Sequence, residues 1–181
     1  MSERVDFLIH SAGQLCIVPP HDGGPQRGAT LGDLGLIANG ALAVRGGRVL
    51  AVGDSAELRR RYEAAETIDA DGRCVLPGFV DPHTHVPWAG DRAGEFERRL
   101  AGATYMEIMN AGGGIMSTVR NTRRASAAEL AADNLPRLAR MLRHGTTSAE
   151  AKTGYGLDTA TELKQLDTIV ALAAAQPVEL T

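Results

Sequence analysis

Gly78-Phe79-Val80-Asp81-Pro82-His83-Thr84-His85 is the stretch on which the reading of this chain turns. Pro77-Gly78 reads as a turn, and the aromatic and β-branched residues after it read as a strand reaching a functional edge. In a strand, residues i and i+2 project from one face, so His83 and His85 present both imidazoles to the same side. Two neutral imidazoles on one face are a candidate metal pair, and the triplet by itself fits zinc and iron equally. An H-x-H triplet also arises by chance, and then the pair is two polar side chains at a strand end.

Downstream of this strand the pattern alternates. Residues 100–110 read as a helix, broken by Gly112-Gly113-Gly114, and residues 115–122 as another. The clearest helix is expected over 127–143, where Ser126 and Glu129 form an S-x-x-E capping box and Ala131, Leu135, Leu138 and Leu142 recur on one face. Residues 146–152 read as a second strand. A helix follows from near Asp158 to about Ala175, with Leu163, Leu166, Val170 and Ala173 on one face, and residues 178–181 open a third strand. Strand, helices, strand, helix, strand is the order of a parallel α/β sheet or barrel.

Upstream, short apolar runs cut by turn residues predict β-structure: Phe7-Leu8-Ile9, Leu15-Cys16-Ile17-Val18, Leu36-Ile37, residues 41–44 and residues 49–52. Gly46-Gly47 between the last two is a hairpin signal, since glycine tolerates the positive φ of a primed turn. Residues 19–35 read as a loop, residues 56–65 as a short helix with Ser55 as N-cap, and residues 68–78 as a further hairpin. The expected division is residues 1–76 and residues 77–181.

Of the 181 residues, 44% are apolar and 23% charged, with a net charge of -3, the composition of a globular chain. Acidic and basic residues are interspersed, so neither nucleic acid nor membrane is an expected partner. No apolar run approaches the ~20 residues of a membrane span. Glu3 and Asp6 stand where a signal peptide needs a basic start and an apolar core. Cys16 and Cys74 match no CxxC or secreted disulfide spacing, and the expectation is a cytoplasmic protein. His10, His21 and His144 lack a partner at ligand spacing, and His144 is expected to complement a helix C-terminal dipole. Gly112-Gly113-Gly114 is no phosphate loop, because no G-K-[ST] follows.

The Pro77-Gly78 turn and Asp81-Pro82-His83-Thr84-His85 resemble the first barrel strand of the amidohydrolase superfamily. The resemblance narrows with Ala89-Gly90-Asp91-Arg92, Glu95-Phe96, Arg99-Leu100-Ala101-Gly102, Ala111-Gly112-Gly113-Gly114-Ile115 and Ser117-Thr118-Val119-Arg120. Together with Gly145-Thr146-Thr147 and Glu150-Ala151-Lys152-Thr153-Gly154-Tyr155-Gly156-Leu157, these make nearly the whole sequence similar to the imidazolonepropionase family. The resemblance implies an α/β fold in which an N-terminal β-sandwich portion, residues 1–76, precedes the first part of an amidohydrolase-type (β/α)8 barrel, residues 77–181. It implies one metal ion, zinc or iron, and a small-molecule substrate, 4-imidazolone-5-propanoate, opened by water to N-formimidoyl-L-glutamate in histidine degradation.

Carried over by position, the resemblance makes His83 and His85 metal ligands and places Arg92 and Tyr155 against substrate. A guanidinium suits the propionate carboxylate, and Tyr155 lies in a loop after a barrel strand, where βα loops build active sites. Without the resemblance, Arg92 reads as a solvated charge and Tyr155 as a loop-packing aromatic. The family's other ligands, a histidine and an aspartate, and most of its acid–base groups lie on later strands. Residues 77–181 are fewer than half of the about 250 residues of a barrel. The expectation is an N-terminal part with at most three barrel strands, inactive alone, and a complete enzyme that could be a homodimer. Lys152 as a carboxylated metal bridge ranks lower, and Asp81 and Glu150 read equally as groups orienting imidazoles and as structural hydrogen-bonders. The rival readings are a non-catalytic truncated module and another cyclic amidohydrolase or deaminase.

Overall fold

One long strand, β1, runs from Glu3 to Cys16 where two short apolar runs were expected. It stays continuous because a bulge between Ile9 and Ala12, with Ser11 at a φ of 56°, absorbs the polar residues between them. A computed structural model describes residues 2–20 and 23–181 of the chain, and His21 lies outside the described residues. It divides into two compact units, Met1–Pro77 and Gly78–Thr181.

In the first unit β1 pairs antiparallel with β2 (Leu36–Arg45), which pairs antiparallel with β3 (Arg48–Asp54). The turn between β2 and β3 is Gly46-Gly47, at φ 59° and 71°, the conformation for which two glycines are suited. Helix α1 (Ser55–Arg61) follows, and its N-cap is Asp54 rather than Ser55: the Asp54 carboxylate accepts from the amides of Ala56 and Glu57. Ser55 is instead buried and donates to the Gly40 carbonyl. The helix ends at Arg61 because buried Tyr62 opens β4 (Tyr62–Asp69).

The hairpin expected over 68–78 is replaced by two strands with the same direction. Both β4 and the short β5 (Cys74–Val75) lie parallel to β1. The turn between them sits opposite the β1 bulge, where the amides of Ala70 and Gly72 donate to the carbonyls of His10 and Ser11. The core of this unit gathers Val5, Leu8, Ala41, Ala43, Leu58 and Tyr62.

In the second unit β6 (Phe79–Thr84), β7 (Thr146–Ala151) and β8 (Glu179–Leu180) form a parallel sheet in that order. Between β6 and β7 lie α2 (Ala93–Leu100), α3 (Tyr105–Asn110), α4 (Ile115–Arg124) and α5 (Ala127–Arg143); α6 (Thr159–Ala175) joins β7 to β8. The single helix expected over 100–110 is thus two pieces, separated at Gly102 with φ 95° and restarted by a Thr104/Glu107 capping box. Helix α5 has the expected bounds and the expected Ser126/Glu129 box. Its buried residues are Leu130, Asn134 and Leu138, while Leu142 is exposed. Leu138 packs with Val86 and Leu172 in an apolar cluster that also takes in Leu135.

Helix α6 starts from the Asp158 cap as expected but is rotated relative to its apolar stripe. It buries Thr161, Gln165, Thr168, Ile169 and Leu172, and Leu163, Leu166 and Val170 are exposed. Buried Gln165 earns its place by donating from Nε2 to the Pro87 carbonyl at 2.8 Å. Among the described residues no helix is long and apolar enough to cross a membrane, and Cys16 and Cys74 are free thiols.

Leu138→Ala is expected to destabilise the protein by about 2–5 kcal/mol, as for other leucines deleted from a filled core. Ser126→Ala, removing one cap, is expected to cost about 1 kcal/mol. Urea denaturation followed by circular dichroism checks both, and equal costs would contradict this account of the packing.

Candidate functional site

Parallel strands place the ends of β6 and β7 side by side, and two loops leave there, residues 85–92 and 152–158. The pairing of β6 with β7 shifts register between Asp81 and Thr84, where Pro82 has no N–H for the ladder. The chain closes again where the Thr84 hydroxyl donates to the Glu150 carbonyl at 2.6 Å and the Lys152 amide donates to Thr84.

This brings His83 and His85 together, with ring centroids 5.3 Å apart and planes at 76°. Two imidazoles bound tetrahedrally to one ion through 2.0–2.1 Å bonds have ring centres roughly 5 Å apart, a spacing this pair shares. His85 Nδ1 lies 2.9 Å from the Thr153 carbonyl. A carbonyl only accepts, so this contact puts a proton on Nδ1, and in the neutral ring Nε2 then carries the lone pair. Gly154, at φ 139°, lets the loop press on this ring: a Cβ there would stand 3.0 Å from His85 Cε1. His83 Nδ1 is 3.8 Å from Glu150 Oε1, which also pairs with Lys152 Nζ at 3.0 Å. Among the described residues no group of three or more His, Cys, Asp or Glu is assembled to hold a metal. The donors on hand are therefore a pair.

Tyr155 stacks obliquely on His85, with centroids 5.3 Å apart. Arg92 is the N-cap residue of α2, half exposed, with Nε donating to Glu95 Oε2 at 2.9 Å. Glu95 Oε1 accepts from the Gly114 amide, so the triple-glycine break is tied to the Arg92 pair. Arg92 and Tyr155 line one cavity of about 320 Å³ together with Trp88, Asp91, Thr118 and Arg137. The structure thus places the two imidazoles and Tyr155 together, with Arg92 and Tyr155 lining one cavity. Asp81 accepts from the His83 amide at 3.3 Å. His10 sits beside Ser11 Oγ at 2.8 Å, and His144 caps α5.

Three supporting residues were missed by sequence reasoning. Arg137 and Asn134 on α5 hold the first loop, and burial pulls the Arg137 guanidinium below its usual pKa while Asp133 and Asp91 favour its charge. Glu162 on α6 holds the second: its Oε1 accepts from the amides of Gly156 and Leu157 at 2.7 and 2.8 Å. Burial alone would raise the Glu162 carboxyl, but hydrogen bonds from Thr153 and from the Leu157, Gly156 and Gly154 amides outweigh it and hold it below the ordinary glutamate value. Asn134 offered a signal, as a polar residue on the apolar face of the most regular helix.

A carboxyl whose folded pKa is depressed contributes stability above its unfolded pKa and loses it as pH falls through the folded value. The Gly156 and Leu157 amide resonances are therefore expected to shift on acidification with a midpoint below the ordinary glutamate range, and Glu162→Gln should flatten the titration. An NMR titration with an ordinary glutamate midpoint would contradict this.

Comparison with known proteins adds sequence relationship to this geometry. Residues 40–62 match the domain described as "Imidazolonepropionase-like composite domain, bacteria", and residues 66–114 match the amidohydrolase family. Imidazolonepropionase of Chloroflexus aggregans is 56% identical over 180 residues, covering 98% of this chain and 42% of that protein. That of Symbiobacterium thermophilum is 52% identical, covering 96% and 41%. The chain spans about two-fifths of the length of the curated relatives it matches. Among solved structures, a zinc-bound adenosine deaminase from Xanthomonas campestris superposes with a TM-score of 0.64 at 22% identity, covering 97% of this chain and 33% of that one. A triazine hydrolase variant gives 0.64 at 16%, covering 96% and 34%. These two likenesses show a shared α/β fold.

Proposed function

We propose, for a chain homologous over nearly its whole length to the imidazolonepropionases and matching their N-terminal part, that the whole protein hydrolyses 4-imidazolone-5-propanoate to N-formimidoyl-L-glutamate in histidine degradation. The observation that carries this reading is the geometry at the ends of β6 and β7: paired imidazoles, Tyr155 against one of them, and Arg92 lining the same cavity as Tyr155. The reading extends to the fold, with residues 1–76 as the N-terminal portion of a β-sandwich and residues 77–181 as the opening of a (β/α)8 barrel. The parallel order β6-β7-β8, with helices between the strands, supports it. On this reading the protein works in the cytoplasm.

His83 and His85 would hold a divalent metal ion, zinc or iron. Such an ion, when bound, lowers the pKa of a water molecule and polarises a carbonyl. The rest falls to side chains of this chain. The His85 Nδ1–H bond to Thr153 fixes the ring in the tautomer that leaves Nε2 available. The Arg92 fork would take the propionate carboxylate, a charge-assisted and bidentate match, and so orient the ring toward the imidazole pair. The Tyr155 hydroxyl would donate to the carboxylate or the ring, held in place by its contact with His85.

Two variants of the full-length protein test the assignment. His83→Ala with His85→Ala should abolish tight metal binding, and unchanged metal content by elemental analysis would refute the ligand pair. Arg92→Lys keeps the charge but not the fork and should lower kcat/KM by the equivalent of about 1.5–3 kcal/mol. Wild-type kinetics would refute the anchor. Residues 1–181 alone should show no turnover, because a catalytic zinc site takes about three protein ligands and one imidazole pair is present.

A further inference from the structure

We propose that Arg137 is the positioning residue that fixes the first loop and, through it, the guanidinium of Arg92. The consequence for substrate rests on the reading of Arg92 as the carboxylate anchor. Arg137 projects from α5 and holds the loop in three ways at once. Nη1 donates to the Trp88 carbonyl at 2.5 Å, Nη2 donates to the Gly90 carbonyl at 3.2 Å, and the guanidinium carbon lies 3.9 Å from the centroid of the Trp88 ring. Nη1 also donates to Asn134 Oδ1 at 2.7 Å, and Asn134 Nδ2 reaches the same Trp88 carbonyl at 3.0 Å.

An arginine on the polar flank of an amphipathic helix ordinarily extends its head into water. Here the planar fork bridges two carbonyls of one loop, a task a lysine ammonium cannot perform while also lying flat on an indole. Gly90 carries the second carbonyl, and Arg92 follows two residues later as the first turn of α2 begins. The loop also passes close to α4: at Gly90, φ 79°, a Cβ would stand 2.4 Å from Asn121 Nδ2. Arg137, Trp88 and Arg92 line the same cavity. Arg137 thus sets where the Arg92 backbone starts, while Glu95 sets how its side chain points.

The test uses the full-length, metal-loaded enzyme and four variants: Arg137→Met, Arg137→Lys, Arg92→Lys and the Arg137→Met/Arg92→Lys double. Hydrogen exchange read by mass spectrometry should show faster exchange in the peptide spanning residues 86–92 of Arg137→Met, with α5 and β7 peptides unchanged. KM for imidazolonepropionate should rise by about ten-fold, the scale of one misplaced charged contact, with a smaller change in kcat. Arg137→Lys should fall between wild type and Arg137→Met in both readouts. In the Arg92→Lys background the Met substitution should add little, because both changes remove one anchor. Unchanged exchange in the loop overturns the proposal, and so does an additive double variant. If Arg137→Met loses global protection, the Arg137→Lys variant decides by the same criteria. If Arg92→Lys behaves as wild type, the proposed substrate anchor fails, and loop exchange in Arg137→Met still decides whether Arg137 holds the loop.

Discussion

A backbone that leaves a strand and turns into the interior must find a partner for each buried N–H and C=O, and this requirement governs how α4, α5 and α6 surround the β6 end. The Pro87 carbonyl takes Gln165 of α6, the Trp88 amide and carbonyl take Asn134 of α5, and the Ala89 amide takes Thr122 of α4 at 3.2 Å. Thr122, Asn134 and Gln165 are all fully buried. Leaving any one of these loop groups unpaired would cost about 1–3 kcal/mol, more than a methyl group in the same space returns by packing. Polar residues therefore occupy the inward faces of three helices, and the loop that leads to Arg92 becomes part of the core.

The same requirement explains where the sequence could be read and where it could not. The bounds of α5 were legible because their determinants are local: Ser126 and Glu129 three residues apart, and His144 at the other end. The Gly46-Gly47 turn was legible for the same reason. The face of α6 was not. Its leucines mark an apolar stripe, but Gln165 answers to a carbonyl 78 residues away, and that contact rotates Leu163 and Leu166 outward. Likewise β4 and β5 read as a hairpin because a turn sequence separates them, whereas the bulge in β1 that sets their common direction lies far upstream.

At the candidate site the division is similar. The juxtaposition of His83 and His85 followed from a two-residue spacing, while Arg92 and Tyr155 were singled out through the family resemblance and read without it as a solvated charge and a loop-packing aromatic. The partners of their geometric supports were invisible, since Arg137 and Asn134 reach Trp88 across 49 and 46 residues: a polar residue on the apolar face of α5 marks Asn134 as unusual, but neither it nor Arg137 carries the address of its partner. Positioning groups of this kind are specified by the fold and only then become readable.

The two loops are held by chemically different means, and that difference separates their behaviour. The first is tied by an amide, a hydroxyl and a guanidinium, none of which changes charge between neutral and mildly acidic pH. The second is tied by the Glu162 carboxylate, with Arg123 donating to the Gly156 carbonyl and pairing with Asp158 at 3.1 Å. Protonating Glu162 removes its two-amide acceptor and frees the segment whose Thr153 carbonyl orients His85 and whose Gly154 packs on that ring. The loop bearing Tyr155 thus depends on a carboxylate acceptor, whereas the backbone leading to Arg92 is held by an amide, a hydroxyl and a guanidinium, and only the Arg92 side chain is paired with a carboxylate, that of Glu95.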